Sequence, residues 1–520
     1  MLFNSFVFIF GFLPIALAAT YWLGRWKQSA AKLALTLLSL GFYAWWRPVH
    51  LPLLLGSIIF NYIVGGIIQR AYADGRQRSV KLWLVIGLIA DVSLLGWFKY
   101  ANFVADNVGL LVDHDLGLAR ITLPLAISFF TFQKIAYLID SARGDTQRMS
   151  FLDFSLFAAF FPQLIAGPIV HYKEIVPQLQ GRLFAHRFAR NMLIGTVIFA
   201  IGLFKKTVIA DTLSSYADPL FAAASAGHEF NIASGWLAAI TYTLQLYFDF
   251  SGYSDMAIGL ARMLGVKLPL NFHSPLRAAS IIDYWRRWHM TLQRFIVAYI
   301  FQPLSLPLNR MAAQRGLTGW TSFALAVGVP TFVTFVAVGI WHGAGWTFVL
   351  FGVMHAIYIC VNEAWRERRK NRRRALRKQG RTLGDPGVGE RAAYHLITLL
   401  AIIYGNVMFR AHSVDDALSV WSGMSGLGSL DLTLPALATW GLAATIVVGA
   451  AIVALMPNTQ QIMRRFDPAY NWKEWADVAP AMVRWTWRPN AAGLFFAALA
   501  LFLGVMFIQR GQAVFLYFNF

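Results

Sequence analysis

The feature that most constrains this chain is a series of apolar runs separated by short polar stretches. A helix needs about 20 apolar residues to cross the hydrocarbon core of a bilayer, and many of the runs are that long. Hydrophobic residues make up 58% of the sequence and charged residues 13%, against roughly a quarter charged residues in an ordinary globular domain. Charges are costly inside a bilayer. The sequence therefore predicts an integral membrane protein and excludes a soluble domain of useful size.

The apolar runs also predict how the chain is organised. Convincing spans occupy residues 3–22, 31–47, 50–68, 80–98, 121–140, 232–260, 321–341, 345–363, 392–411, 434–456 and 491–509. Shorter or broken blocks lie at 151–170, 191–204 and 291–307. No polar stretch between them is long enough for a second domain. We therefore predict one all-α polytopic membrane domain over residues 1–520, without the internal repeat that many transporters show.

The basic residues follow the pattern of a membrane protein rather than of a nucleic-acid-binding protein. The net charge is +20, but the charges cluster in short loops between apolar runs, as the positive-inside rule requires of cytoplasmic loops. The most basic stretch, 365–391, is predicted to be a cytoplasmic loop near anionic lipid. Arg25 and Lys27 follow the first apolar run, which predicts an uncleaved first helix with its N-terminus outside.

Two stretches break the alternation of basic and uncharged loops. Block 151–170 has basic residues on both flanks, Arg148 and Lys173, which predicts a re-entrant hairpin enclosed by protein. The stretch 262–315 is basic and rich in tyrosine and tryptophan, the aromatic residues that favour the headgroup zone. It is predicted to form amphipathic helices at the cytoplasmic interface.

Histidines inside apolar runs are the first candidates for chemistry, since ionisable residues at membrane depth are rare and often functional. His342 lies between two apolar stretches and is flanked by Gly343 and Gly345. The local pattern fits a functional histidine and a hydrogen-bonded structural histidine at a helix–helix turn equally well. For His355 the packing role is favoured. None of the histidines shows the short ligand spacing of a zinc site.

Charged residues in two further motifs allow a functional and a structural interpretation. Arg286 and Arg287 lie close to His289 in the sequence and could grip phosphates, although anchoring an interfacial helix to lipid is somewhat favoured. Asp249 and Asp255 in a long apolar run imply a polar cavity or buried pairing. Contact between helices is the favoured role of these two carboxylates, because buried polar groups must be satisfied in any case.

Six motifs occur in the order seen in membrane-bound O-acyltransferases. They are FFPQLIAGPIV (160–170), LQLYFDFSGYSDMAIGLARMLG (244–265), LPLNF (268–272), DYWRRWHMTL (283–292), WHGAGWTFVLFGVMH (341–355) and FRAHSVDDAL (409–418). The chain resembles the bacterial branch that contains alginate O-acetyltransferase and the D-alanyl transfer protein of teichoic acid modification. The resemblance covers nearly the whole chain. One segment departs from the family pattern. Residues 297–310 read VAYIFQPLSLPLNR, where alginate-type members have a sequence like DYLYIPLGGNR. This departure bears on which acceptor is acylated and which partner protein takes part.

The resemblance implies a fold and a mechanism. The fold would be a ring of about 11 to 14 transmembrane or re-entrant helices around a central chamber. The family's catalytic histidine falls on His342 and its companion on His289. The reaction would move an acetyl group from a cytoplasmic thioester, acetyl-CoA, to hydroxyls of an exported, alginate-like polysaccharide. A periplasmic partner of the SGNH type would complete the transfer outside a bacterial inner membrane.

Several further residues could take part in binding, and other functions stay open. Residues that could bind substrate or donor are Arg286, Arg287, Trp285, Trp341, Asp249, Tyr253, Asp255 and Gln245. No metal, permanently bound cofactor or nucleic acid is expected. Transfer of D-alanyl or longer acyl groups to a cell-envelope polymer remains open, as does a proton-coupled transporter or flippase, which would also use intramembrane carboxylates and histidines.

Overall fold

The computed structural model describes residues 1–181, 188–382, 384–433, 435 and 438–508, and these residues form helices joined by short connections. Seven segments are long and apolar enough to span a membrane: Val7–Trp26, Pro48–Ala73, Gln77–Val112, Phe188–Ser225, Gly319–His342, Trp346–Lys378 and Val388–Arg410. Two shorter apolar helices are Trp440–Leu455 and Ala491–Met506. The predicted all-α polytopic membrane fold is confirmed. Two predicted span ends, 434 and 509, lie outside the described residues.

The N-terminal helices run back and forth between the two ends of the molecule. They are α1 (Leu13–Trp26), α2 (Gln28–Ala44), α3 (Leu51–Ala73), α4 (Gln77–Val112) and α5 (Ile127–Ala142), with a π-helix at Val7–Phe12 and a 3-10 turn at Pro48–His50. Pro52 occupies the first turn of α3, where a helix needs no N–H donor. The predicted spans 31–47 and 121–140 correspond to α2 and α5.

The block 151–170 folds back on itself, as the sequence predicts. Its elements are α6 (Phe151–Ala159), α7 (Phe161–Leu164) and the following α8 (Tyr172–Gln180). Residues 165–170 are non-helical and buried, which a membrane protein tolerates only where protein encloses the backbone. The two flanks lie at the same end of the molecule, because Lys173 Nζ pairs with Asp145 Oδ1 at 2.6 Å.

Glycines set the spacing of the two central helices. The elements here are α9 (Phe188–Phe204), a π-helix at Lys205–Ala210, α10 (Asp211–Ser225) and α11 (Ile232–Met263). A Cβ at Gly202 would lie 2.7 Å from the carbonyl oxygen of Gly252, and a Cβ at Gly259 would lie 2.7 Å from that of Gly195. The two backbones therefore touch, as small residues permit in membrane helix pairs.

The stretch that carries the WRRWH motif is more deeply buried than an interfacial segment. Its helices are α12 (Ile281–Arg287), α13 (Met290–Ile296), α14 (Gln302–Gln314), α15 (Gly319–Phe323), α16 (Val329–His342) and α17 (Trp346–Lys378), with a 3-10 turn at Pro275–Arg277 and π-helices at Val297–Phe301 and Ala324–Gly328. Most of α14 is exposed, which fits the predicted interfacial position. Tyr284, Trp285 and Trp288 are buried instead, because Tyr284 stacks on Trp288 and packs edge-to-face on Trp285, which packs in the same way on Phe335.

The C-terminal helices close the molecule. They are α18 (Val388–Arg410), α19 (Val414–Met424), α20 (Trp440–Leu455), α21 (Thr459–Ile462), α22 (Trp472–Trp475) and α23 (Ala491–Met506), with a 3-10 turn at Arg464–Phe466. The stretch 365–391, predicted to be a loop, is helical at its start, because α17 continues to Lys378. A run of exposed arginines on a helix keeps its charges in water, so a basic segment need not be a loop.

The basic residues fix the orientation of α16. The connections after α8, α11 and α21 meet at one end of the molecule, where Gln178 Nε2 donates to Lys267 O at 3.0 Å and Lys267 Nζ pairs with Asp467. By the positive-inside rule, the excess of positive charge predicts that this end is cytoplasmic. The helix α16 follows the basic residues Arg310 and Arg315, so it starts at the cytoplasmic end. Its last residue, His342, lies towards the outer face.

Candidate active site

His342 ends α16 inside the protein, shielded from lipid and open water. The side chain is buried, with only 3% of its surface exposed. The centroid of its ring lies 4.8 Å from that of Trp341, 5.0 Å from Phe409 and 6.0 Å from Phe351. Gly343 follows in extended conformation, and a Cβ there would lie 2.1 Å from the Phe348 ring. The turn that presents His342 therefore requires a residue without a side chain.

A buried lysine holds the end of the helix that carries His342. Lys99, on α4, donates through Nζ to the carbonyl oxygens of Trp341 and His342, the latter at 3.3 Å, and to Ser128 Oγ at 3.4 Å. The last carbonyls of an α-helix lack partners within the helix, and a cation there also complements the helix dipole. Lys99 therefore fixes the backbone from which the His342 side chain projects.

His289 lies at the break between α12 and α13. Its backbone φ is +43°, the left-handed region, which costs an L-residue on the order of 1 kcal/mol. Met290 N donates to Asn271 O at 2.9 Å and so holds the turn. His289 Nδ1 lies 3.0 Å from Asn271 Oδ1, which also accepts a hydrogen bond from Thr291 Oγ1 at 2.8 Å.

Asn271 also determines the tautomer of His289. An amide oxygen only accepts, so the His289 Nδ1 atom must carry the proton, and Nε2 is then the basic nitrogen. The Asn271 amide is oriented by a hydrogen bond from its Nδ2 to Ser254 Oγ at 3.1 Å. His289 lies outside the seven spans, and burial lowers the pKa of its imidazole to about 3. The ring is therefore neutral at pH 7.

The indole of Trp341 lies between the two histidines. Its ring centroid is 4.8 Å from His342 and 6.1 Å from His289. Phe129 packs against both Trp341, at 5.6 Å, and His289, at 6.4 Å. The structure therefore brings His289 together with the adjacent residues Trp341 and His342, which are distant from it in the sequence, in one buried aromatic cluster. Aromatic walls exclude water, which limits hydrolysis of a reactive thioester.

A small cavity adjoins this cluster. Its volume is about 30 Å³, enough for one or two water molecules. The walls are formed by Lys99, Leu123, Pro124, Ala126, Ile127, Ser128, Phe129, Ile165, Trp341 and His342. The chamber that the resemblance implies is therefore narrow at His342, and side chains must move before an acyl thioester can reach the ring.

The two arginines of the WRRWH motif lie in different surroundings. Arg287 makes a two-point ion pair with Asp283 of its own helix, with Nε–Oδ1 at 2.9 Å and Nη2–Oδ2 at 2.7 Å. Arg286 is exposed. Trp285 is buried and donates through Nε1 to His355 Nδ1 at 3.2 Å. His355 thus contacts the buried face of α12, in agreement with the packing role favoured for it.

The acidic candidates on α11 belong to buried ion pairs. Asp249 pairs with Lys206 at 2.5 Å, and Lys206 also pairs with Asp211 at 2.7 Å. Asp255 pairs with Lys205 at 2.8 Å and accepts from the side chains at positions 459 and 460. Of the two interpretations open from the sequence, the structure shows pairing between helices.

The other two candidates on α11 are buried. Tyr253 stacks on Phe3 at 4.8 Å, and Gln245 is 2% exposed. The helix α11 contacts His289 through Phe250, whose ring lies 4.8 Å from that of His289, and contacts the partner of His289, Asn271, through Ser254. No group of three or more histidine, cysteine, aspartate or glutamate side chains within the described residues could hold a metal ion.

Two residues of the site escape the sequence argument. Asn271 lies within LPLNF, a motif of the resemblance, but its role depends on a contact with a residue 18 positions away. Lys99 directly follows the predicted span 80–98, where a lysine ordinarily marks a helix end. The helix continues to Val112, so Lys99 is internal to it. The sequence signal that could have identified Lys99 is its charge within the apolar run 94–104.

We expect Asn271→Asp to shift the pH dependence of the reaction. A carboxylate accepting the Nδ1 proton stabilises imidazolium, so it raises the pKa of His289, and the acid limb of the pH–rate profile should move to higher pH. Asn271→Leu should slow the reaction without that shift, because it removes the acceptor that fixes the tautomer. The measurement is the initial rate, from pH 4 to pH 9, of the acyl transfer that the resemblance implies. Identical profiles for wild type and Asn271→Asp would contradict this role.

Residues 82–382 match the membrane-bound O-acyltransferase family. A peptidoglycan O-acetyltransferase from Helicobacter pylori is 40% identical over 459 residues, which are 83% of this chain and 81% of that protein. A probable alginate O-acetylase from Pseudomonas aeruginosa is 36% identical over 439 residues, 83% of this chain and 76% of that protein.

A more distant relative is a teichoic acid D-alanyltransferase from Streptococcus thermophilus, 27% identical over 260 residues that cover 49% of this chain and 60% of that protein. The family match includes α16, α17 and the two histidines of the buried cluster. The resemblance found in the motifs is therefore confirmed. This chain belongs to the membrane-bound O-acyltransferase family and is a multi-pass membrane O-acyltransferase.

Proposed function

We propose that this enzyme transfers an acetyl group from cytoplasmic acetyl-CoA towards hydroxyls of an exported cell-envelope polysaccharide, with His342 as the general base. The observation that carries the proposal is the buried cluster in which His342 and His289 pack on one indole, Trp341. A neutral imidazole suits the task because its ordinary pKa lies near neutrality.

The reaction follows from the chemistry of a thioester and an alcohol. The His342 imidazole takes the hydroxyl proton as the oxygen attacks the carbonyl carbon of the thioester. The tetrahedral intermediate then collapses, the C–S bond breaks, and the imidazolium returns its proton to the departing thiolate. His289, with its Nε2 as the basic nitrogen, accepts a hydrogen bond from the hydroxyl and so orients it for attack. Trp341 and its aromatic neighbours keep water out of the site.

The relatives support an acetyl group and a polysaccharide acceptor. Two proteins with acetyl transfer in their names match 83% of this chain at 36 to 40% identity. The D-alanyltransferase matches 49% at 27% identity. The names concern peptidoglycan and alginate, and both polymers contain sugar units with hydroxyl groups. We therefore favour acetyl over D-alanyl and longer acyl groups.

A periplasmic partner of the SGNH type would complete the transfer. The position of His342 towards the outer end of α16 supports passage of the acetyl group across the membrane. The described outer connections, such as 113–126 and 226–231, are too short to form a polymer-binding domain of their own. The first acceptor hydroxyl at His342 would then belong either to the partner or to the sugar itself.

Inverted membrane vesicles test this function, because they expose the cytoplasmic face to added donor. We expect vesicles containing the wild-type chain, its native partner and the acceptor to move radiolabel from [¹⁴C]acetyl-CoA into alkali-labile ester and to release an equal amount of CoA thiol. Labelled D-alanyl donor, supplied in the same way, should give no incorporation.

The same vesicles separate the rival classes of function. A transporter or flippase predicts movement of label into the lumen without ester formation, and a recruiting scaffold predicts ester formation that does not require His342. Incorporation of D-alanine in place of acetate would overturn the choice of acyl group while leaving acyl transfer intact.

A further inference from the structure

A large groove opens at the cytoplasmic end, apart from the histidine cluster. It lies between the start of α12, the second half of α17 and the first half of α18, and its volume is about 1360 Å³. Ligand pockets commonly measure ~300–1,000 Å³, so the groove can take a large ligand. The basic residues on its walls are Arg366, Arg369, Lys370, Arg373, Arg374, Arg377 and Arg381.

Four of these cations are already paired with acids. Arg366 pairs with Glu363 at 2.8 Å, Arg369 with Glu390 at 2.5 Å, Lys370 with Glu367 at 3.1 Å and Arg373 with Asp385 at 3.1 Å. The other three, which we call the unpaired arginines, are Arg374, Arg377 and Arg381. They have no ion-pair partner among the residues that the structure describes, so the groove keeps an excess of positive charge.

The inner wall of the groove leads towards the histidine cluster. Tyr358 lines the groove, and its ring lies 5.4 Å from that of His355. His355 lies 4.4 Å from Phe351, which packs on His342. Tyr358 and Phe351 are separated by about 10 Å along α17. On the same wall the buried Oδ1 atom of Asn362 has no hydrogen-bond partner in the described part of the chain. The groove and the site are thus joined by consecutive turns of one helix.

We infer that this groove binds the phosphate groups of the acyl donor through Arg374, Arg377 and Arg381. The inference rests on the proposed function, since it takes acetyl-CoA as the donor. Guanidinium groups bind phosphate oxygens in pairs with defined geometry, and a nucleotide with several phosphates requires several such groups. This assignment replaces the one expected from the WRRWH motif, in which Arg287 is already held by Asp283.

The phosphate of an anionic lipid shares this chemistry, so the experiment must separate the two sources. The test variant carries Arg374→Gln, Arg377→Gln and Arg381→Gln. The control carries Arg368→Gln, Arg372→Gln and Lys378→Gln, which remove the same charge from α17 at positions outside the groove walls. Both are assayed in inverted vesicles over a range of acetyl-CoA concentrations.

We expect the test variant to raise the KM for acetyl-CoA about tenfold or more, because hydrogen bonds between charged groups are the strong ones. Its kcat should stay close to that of the wild type, and the control variant should change neither constant. An unchanged KM, or an equal rise in the control, would overturn the inference. If wild-type vesicles transfer no acetyl group at all, the proposed function fails, and the groove is tested by binding alone.

Binding of adenosine 3′,5′-bisphosphate, the nucleotide portion of CoA, provides that test. We expect the purified wild-type protein and the control variant to bind it in phosphatidylcholine nanodiscs, and the test variant to lose at least about 90% of the binding, a tenfold effect. Equal binding by all three proteins contradicts the inference. A lipid site would give a different result: no protein would bind the nucleotide in phosphatidylcholine, and the wild type and the control would retain phosphatidylglycerol whereas the test variant would lose it. That result would assign the groove to lipid and would also overturn the inference.

Assays with acetyl-CoA that lacks the 3′-phosphate test whether the three arginines contact that phosphate. The wild type should show a higher KM for this donor than for acetyl-CoA, whereas the test variant should handle the two donors alike. A test variant that discriminates as strongly as the wild type would show that the arginines do not contact that phosphate, which would overturn their assignment.

Discussion

Replacing His342 with alanine is expected to reduce acetyl transfer by about 100- to 10,000-fold, the usual contribution of a general base. The side chain is buried between Trp341, Phe351 and Phe409, and α16 ends there in a turn built on Gly343. Loss of the His342 imidazole should leave α16 folded and the protein inserted in the membrane. The measurement is ester-linked radiolabel per amount of protein in inverted vesicles.

A second substitution separates chemistry from packing at this position. His342→Gln preserves much of the volume and the capacity for hydrogen bonds, but an amide is not a base. We expect it to be as inactive as His342→Ala while unfolding at the wild-type temperature. Wild-type transfer by either variant, at wild-type abundance in the membrane, would rule out His342 as the base.

The second large effect is expected at Lys99. Lys99→Met preserves the length of the side chain but removes the donor to the carbonyls of Trp341 and His342. A buried polar group without a partner costs about 1–3 kcal/mol, and the end of α16 can avoid that cost only by moving. Displacement of the imidazole should lower kcat about 10- to 100-fold, which corresponds to roughly 1.4–2.7 kcal/mol in the barrier.

Lys134 provides a matched control for Lys99. It is also a buried lysine, on the adjacent helix α5, where its Nζ lies 4.2 Å from the centre of the Phe130 ring. It does not line the cavity beside His342. Lys134→Met should therefore retain most of the wild-type kcat. If both variants lost activity in proportion to their loss of thermal stability, Lys99 would be a residue of the fold alone.

The sequence predicts the fold well because a bilayer leaves few choices. Apolar length identifies the spans, and basic flanks identify the re-entrant block 151–170, whose buried non-helical backbone the structure then shows. The same reasoning cannot tell a helix on the membrane surface from a helix inserted in protein, since both have an apolar and a basic face. That is why α12 is buried where an interfacial helix was expected.

The site is predicted only where the sequence itself is unusual. A histidine between two apolar runs identifies position 342, and the family resemblance adds position 289. Neither histidine has its partner nearby in the sequence, since Asn271 lies 18 positions from His289 and Lys99 lies 243 positions from His342. Such contacts are set by tertiary packing. For the same reason Asp249 could be expected to need a partner, but Lys206 could not be named.

The length of α17 places its two halves in different dielectric media. Its 33 residues extend about 50 Å, whereas the hydrocarbon core is about 30 Å thick. The apolar half passes His342 in surroundings that ions do not enter, and the arginine-rich half stands in cytoplasmic water, where charges are screened over ~8 Å at physiological salt. Ionic strength therefore acts on the cytoplasmic turns of this helix and leaves the imidazole of His342 unaffected.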